Sequence, residues 1–208
     1  TGSVGVSTQE LIQMNIKKFK FDTIVANNDV KGLIKAAKYL KPNLVIINND
    51  KMFMPLKKSL EGYSIDIAVG NDAIIEASKR KVDVFVAAIS GFAGLNSTFN
   101  AIGNDRCIAL ANKESIVCAG PILLNKVKNS NTKIIPIDSE HNTLYQILVN
   151  ANIESISKVI ITCSGGPFMG FSYKKLKKVT LEEAINHPIW NMGKKISVDS
   201  ATLMNKGL

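Results

Sequence analysis

Ile137-Asp-Ser-Glu-His141 sets two carboxylates, Asp138 and Glu140, two residues apart where a predicted strand ends and a helix begins. In a parallel sheet that end of a strand is the ligand-binding edge. Two carboxylates held close repel unless a cation lies between them, and hard oxygen donors of this kind suit Mg²⁺ or Mn²⁺. The same pair also reads as an Asp supporting a turn and a Glu favouring the helix dipole, and the spacing leaves both readings open. Ser164-Gly-Gly-Pro167 offers small residues and free backbone N–H groups, either an anion nest or a plain turn. His187, in His187-Pro-Ile-Trp-Asn-Met192, can bind an anion or carry a proton, or serve only the loop. Trp190 in the same loop suits a lid over a ligand or an anchor of the fold. Ser200, Asn205 and Lys206 gather a hydroxyl, an amide and an ammonium around a helix start, a phosphate-binding set that a surface helix could also carry.

At the other end of the chain, Thr1-Gly-Ser-Val-Gly5 spaces Gly2 and Gly5 as the last two glycines of G-x-x-G-x-x-G. Such a turn lets the backbone approach a pyrophosphate whose charge rests on a helix N-terminus; without a nucleotide it is only a glycine-rich turn. Asn27-Asn28-Asp29 falls at a strand end where an adenosine ribose is contacted in such folds. A basic residue there favours NADP and an acidic one NAD, so two Asn and an Asp leave the choice open; Asp29 is also a plain helix N-cap.

These groups need elements to hold them. Over the first 137 residues short apolar runs alternate with helical periodicity. Phe21–Ala26, Leu44–Ile47, Ile65–Val69, Val82–Ile89, Cys107–Ala111 and Ile134–Ile137 read as strands, with helices over Thr8–Lys18, Val30–Leu40 and Asn71–Lys81. Alternating strands and helices imply right-handed crossovers and a parallel sheet covered on both faces. After Ile137 the pattern changes. Ser139–Ala151 reads as a helix and Lys158–Thr162 as a strand; Thr180-Leu-Glu-Glu183 has capping-box spacing, and Ile196–Val198 reads as a strand before a helix capped by Asp199 or Ser200. This predicts an α/β protein, with a Rossmann-like doubly wound parallel sheet over 1–137 followed by part of an α+β domain over 138–208. Both ends look cut, the first strand of the sheet being absent ahead of Thr1, and the chain reads as an interior fragment.

Composition narrows the partners. With 208 residues, 46% hydrophobic and 21% charged, the chain is a globular protein rather than a disordered one. Cys107, Cys118 and Cys163 form no C-x-x-C pair, which excludes a zinc ribbon or thioredoxin-like motif. No apolar run reaches the roughly 18 residues of a membrane span, and no signal segment opens the chain. The net charge is +9, but only Arg80 and Arg106 among the 26 basic residues are arginines. Base readout and bidentate phosphate recognition favour Arg, so the excess reads as Lys-rich composition or as a cleft for anionic small molecules rather than a nucleic-acid surface.

In their order and wording, Ala111-Asn-Lys-Glu-Ser115, Asp138-Ser-Glu-His141, Ser164-Gly-Gly-Pro-Phe168, His187-Pro-Ile-Trp-Asn-Met-Gly193 and Asp199-Ser-Ala-Thr-Leu-Met-Asn-Lys-Gly207 resemble the 1-deoxy-D-xylulose 5-phosphate reductoisomerases. The resemblance spans essentially the whole chain, about half of a family member. It implies a homodimeric, NADPH- and Mn²⁺- or Mg²⁺-dependent enzyme of non-mevalonate isoprenoid synthesis, with a sugar phosphate substrate and no nucleic-acid or membrane partner. A bacterial cytoplasm is the implied location, with a plastid stroma as the alternative. By position, Asp138 and Glu140 resemble two metal ligands, the third being a Glu directly after Leu208. Lys113 resembles the active-site lysine and Ser139 a substrate-hydroxyl contact, Glu140 touching substrate as well. Ser164, Ser200, Asn205 and Lys206 resemble the phosphate pocket with His187 beside it as a catalytic and binding residue, and Trp190 and Met192 the substrate flap. Thr1, Gly2, Ser3 and Val4 resemble the cofactor phosphate loop. Ala88, Ile89, Ala111, Asn112, Glu114 and Gly193 fall with the cofactor, as do Asn27 and Asn28.

Two places depart from the family, one of them Met169, which stands where members often have a polar or basic residue. Where members commonly have Gly, a variable and often basic residue, and Asn, this chain has Asn27, Asn28 and Asp29. Two other readings compete: a metal-independent NAD(P) dehydrogenase on the same nucleotide fold, and a basic nucleic-acid-binding module.

Overall fold

Six four-residue runs rich in Val, Ile, Leu and Ala form strands, and each pairs in parallel with its neighbour in sequence. In the computed structural model, which describes residues 1–15, 17–103, 105–190 and 193–208, β1 (Thr23–Ala26), β2 (Leu44–Ile47) and β3 (Asp66–Val69) make one three-stranded sheet in that order. A second sheet is made by β4 (Val84–Ala87), β5 (Cys107–Leu110) and β6 (Lys133–Pro136), also in order. The expected α/β architecture of parallel strands and crossover helices is what forms. β1 and β4 are each an edge of their own sheet among the described residues.

Helices α1 (Ser3–Gln13), α2 (Val30–Leu40), α3 (Phe53–Ser59), α4 (Gly70–Ser78), α5 (Gly94–Ala101) and α6 (Lys113–Lys128) complete this part. Helix α1 starts at Ser3 and not at Thr8, because Gly2, with an extended backbone, is its N-cap and Val6 N–H already donates to the Gly2 carbonyl. Helix α2 is started by Asp29, whose carboxylate accepts from Gly32 N–H at 2.9 Å, and it buries Leu33, Ala37 and Leu40 at helical spacing. Helix α6 breaks at Ala119, two residues before Pro121, whose ring cannot follow an unbroken helix. Leu33, Val45, Ile47 and Leu56 centre one core and Ile108, Leu110, Ala101 and Leu123 another.

The chain divides into two compact units, Thr1–Asp138 and Ser139–Leu208. The second holds α7 (Ser139–Leu148), α8 (Tyr173–Leu176), α9 (Leu181–Ile185), α10 (Lys194–Thr202) and α11 (Met204–Gly207). The capping box at Thr180 forms as its spacing predicts, with Glu183 N–H donating to Thr180 Oγ1 and Thr180 N–H to Glu183 Oε2. Two expectations fail here. Lys158–Thr162 is not a strand: no described segment of the unit offers it a ladder, and its apolar side chains stay exposed. Ile196–Val198 lies inside α10, whose buried face is Ser197 and Ser200 rather than its β-branched residues.

Candidate active site

Strand ends of the first unit carry the first cluster. Asn112 caps α6 by accepting from Ser115 N–H at 3.0 Å, and Ser115 Oγ donates to the same oxygen. Its amide nitrogen donates to the Ile89 carbonyl at 2.6 Å and the Gly91 carbonyl at 2.9 Å, and approaches Glu114 Oε2 at 3.3 Å. The buried Asn112 side chain therefore ties the loop after β4 to the start of α6, bringing Ala88, Ile89, Ala111 and Glu114 to one sheet edge. Gly94 makes this approach possible: a Cβ there would stand 2.4 Å from the Ile89 carbonyl and 2.9 Å from Asn112 Nδ2. Sequence reasoning missed Gly94, since nothing in the sequence shows what a glycine faces.

Beside Asn112, Lys113 Nζ lies 3.1 Å from Asp138 Oδ2, with both side chains largely buried. An ion pair withdrawn from water holds only while both charges are present, so each group fixes the other.

At the far edge, Asn27 and Asn28 each pair with an asparagine following β2. Asn48 Nδ2 donates to Asn27 Oδ1 at 3.0 Å and Asn49 Nδ2 to Asn28 Oδ1 at 2.8 Å. The pairing has a signal in the sequence, since both strands are followed by Asn-Asn-Asp. Around Gly2 and Gly5 a Cβ would meet nothing within 4 Å, so any need for glycine there lies with a ligand and not with the fold. No side chain caps α1, which leaves the N–H groups of its first turn, at Ser3 and Val4, without a side-chain acceptor.

The second unit forms its own cluster. Ser164 Oγ lies 3.0 Å from His187 Nε2 and accepts from Gly166 N–H at 3.2 Å. His187 Nδ1 accepts from the N–H groups of Ile189 and Trp190, both at 3.2 Å. A nitrogen that accepts cannot carry the ring proton, so a neutral His187 holds it on Nε2 and donates to Ser164. The Ser164 oxygen thus receives two donors, which leaves its own hydroxyl hydrogen for a third partner. Trp190 stacks on His187 at 5.0 Å between centroids and is half exposed. Met192 lies outside the described residues.

Gly166, at φ +65°, seats the Ser-Gly-Gly turn on α10: a Cβ there would meet the Ser200 carbonyl at 2.4 Å. Ser200 is itself buried. Gly193 is the N-cap of α10, and Asn205 and Lys206 stand on α11. Lys206 is ion-paired with Glu140, the second residue of α7. Ser139, which opens α7, is exposed.

Asp138 and Glu140 are hard oxygen donors, each now neutralised by a lysine, and as chemistry they fit two of the ligands of a divalent cation. Among the described residues no group of three or more His, Cys, Asp or Glu comes together.

A model of the 1-deoxy-D-xylulose 5-phosphate reductoisomerase family matches residues 1–120, and one of the C-terminal domain of these reductoisomerases matches 134–208. The Zymomonas mobilis reductoisomerase is 43% identical over all of this chain and 54% of its own length, and that of Wolbachia pipientis wMel 45% identical, with 53% of its length covered. The structure of the Z. mobilis enzyme in complex with NADPH superposes with a TM-score of 0.89 at 42% identity, covering 100% of this chain and 53% of that one. A DOX-P reductoisomerase in complex with NADPH, fosmidomycin and magnesium gives 0.91 at 37%, covering 100% and 54%. The chain spans about half the length of the curated relatives it matches.

Proposed function

The chain belongs to the 1-deoxy-D-xylulose 5-phosphate reductoisomerase family, and on that premise we propose that the protein rearranges 1-deoxy-D-xylulose 5-phosphate and reduces the product with NADPH to 2-C-methyl-D-erythritol 4-phosphate. The observation that carries the proposal is the match of both family models along one chain, to relatives whose structures hold NADPH and magnesium. The reaction belongs to non-mevalonate isoprenoid synthesis. The protein works as a homodimer in the cytoplasm of a bacterium, as befits its bacterial relatives, and no helix among the described residues is long and apolar enough to cross a membrane.

Each cluster has a part in this reading. The uncapped N-terminus of α1, with Thr1 and Gly2 before it, receives the cofactor pyrophosphate. Asn27 and Asn28 meet its adenosine ribose. Ala88, Ile89, Ala111, Asn112 and Glu114, with Gly193, serve its nicotinamide half, which supplies the hydride. Asp138 and Glu140 hold a divalent cation, which when bound polarises substrate oxygens and stabilises negative charge on them. Lys113 orients Asp138 through their ion pair and presents its ammonium to the substrate, and Ser139 meets a substrate hydroxyl. Ser164 directs its hydroxyl hydrogen to the phosphate, Ser200, Asn205 and Lys206 complete the pocket, and His187 sets the direction of the Ser164 hydroxyl. Remote binding energy from the phosphate then holds the reacting carbons in place. Trp190 and Met192 close over the site and exclude water.

The test is oxidation of NADPH by the full-length protein with 1-deoxy-D-xylulose 5-phosphate and Mn²⁺. Metal-dependent turnover is expected, with Asp138→Asn lowering it by about a hundredfold or more. A folded protein that oxidises NADPH no faster with the substrate than without it overturns the proposal, and turnover that ignores the metal points instead to a plain dehydrogenase.

A further inference from the structure

Both strands at the ribose edge end in the same three residues, Asn27-Asn28-Asp29 after β1 and Asn48-Asn49-Asp50 after β2. The strand register carries on past Ala26 and Ile47, since Asn48 N–H donates to the Ala26 carbonyl and Asn49 N–H to the Asn27 carbonyl. The side chains follow as two amide–amide rungs, Asn27 with Asn48 and Asn28 with Asn49. Beyond them Asp29 is fixed by the cap of α2 yet exposed, and Asp50 opens a short 3₁₀ turn capped by Asn49. The edge is therefore lined by amides locked to one another and by carboxylates.

A 2′-phosphate on the ribose calls for the forked cation that arginine supplies, whereas a free 2′-hydroxyl calls for a carboxylate that accepts its proton. Neither arginine of the chain is at this edge. Arg80 is committed to Asp22, at the opposite end of β1, through Nε at 2.6 Å and Nη2 at 2.9 Å. Arg106 is buried on the carbonyls of Ser78 and Arg80, each at 2.8 Å. The basic residues next in sequence, Lys31 and Lys51, are exposed point charges without that fork, and the Asp29 carboxylate repels a phosphate placed beside it.

We propose that this edge accepts an unphosphorylated adenosine ribose nearly as well as a phosphorylated one, so that the protein uses NADH as well as NADPH, with Asp29 as the residue that removes the discrimination. The proposal rests on the reading of the first unit as a nicotinamide-dinucleotide site. It is tested by calorimetric titration of the full chain with NADPH and with NADH, with the melting temperature of each variant as a folding control. The expected dissociation constants differ by less than about tenfold, and Asp29→Asn, which retains a capping oxygen, or Asn28→Arg raises the preference for NADPH by about tenfold or more. NADPH binding tighter by more than that margin in the unaltered protein overturns the proposal and leaves the dinucleotide site standing. An unchanged ratio in a folded Asp29→Asn protein overturns the part given to Asp29. Failure to bind either cofactor overturns both this proposal and the reading it rests on.

Discussion

At the scale of the residue, the proton on His187 sets the direction of the hydroxyl beside it. Two backbone N–H groups point at Nδ1, so the neutral ring keeps its hydrogen on Nε2 and aims it at Ser164. Nitrogen-15 chemical shifts of the full protein are expected to show the Nε2–H tautomer, and an Nδ1–H tautomer would contradict the geometry. A second residue-scale consequence lies at Asp22, which receives Arg80, Asn43 and Thr23. The Arg80 hydrogen bonds hold its carboxyl far below the ordinary carboxylate range. The unfolded chain then takes up this proton at a higher pH than the folded one. The stabilisation is complete above the ordinary carboxylate range, near pH 4, and fades as pH falls below it toward the depressed folded value. Because the Arg80 side chain is 41% exposed, screening leaves only about 1 kcal/mol. Asp22→Asn is expected to cost that much at neutral pH and progressively less in acid, measured by urea denaturation across a pH series.

At the scale of the element, caps and close approaches decide more than propensity. The Thr180 box and the Asp29 cap were legible because each is a local pattern whose partners lie three residues away. The strands were legible because buried parallel strands are continuous apolar runs. Helix α10 was not, since its β-branched Ile196 and Val198 suggest a strand while the face it buries is serine, and the Gly166 turn that explains this lies some thirty residues earlier in the chain. The candidate residues on strand ends and in the Ser-Gly-Gly turn could be picked out from their types; the lysines that neutralise Asp138 and Glu140 could not be paired with them, because pairing is set by topology. Gly166→Ala adds a left-handed strain to a collision with the Ser200 carbonyl, at a cost of about 2 kcal/mol or more. Gly193→Ala, where a Cβ meets nothing within 4 Å, is expected to be nearly silent when the two variants are compared by thermal melting. Arg106 acts between elements. It lies just before β5 and satisfies carbonyls at the C-terminal end of α4, and burial pushes its pKa down. Arg106→Met leaves those buried acceptors without their donor, and a loss of about 3 kcal/mol is expected in denaturant midpoints.

At the scale of the whole molecule, the two units differ in what holds them. The first buries two apolar clusters beneath its sheets. The second, among the described residues, buries only Gly166, Ser197 and Ser200, while Ile153, Ile160, Leu181 and Ile189 are each more than 60% exposed. Burial of apolar surface supplies the main favourable free energy of folding, at about 25 cal/mol per Å², and chain entropy opposes it at about 1–2 kcal/mol per residue. Hydrogen bonds such as Ser164–His187 and the Thr180 box contribute about 1 kcal/mol each, too little to hold some seventy residues without such burial. Capping and serine packing are therefore expected to leave the second unit, taken by itself, weakly stable, and its exposed isoleucines call for a cover. Hydrogen exchange on these 208 residues is expected to show strong protection at β2 and β5 and weak protection throughout α7 to α11. Strong protection in α9 and α10 of the same sample would show that capping and serine packing alone suffice, and would remove the argument that the exposed isoleucines need a cover.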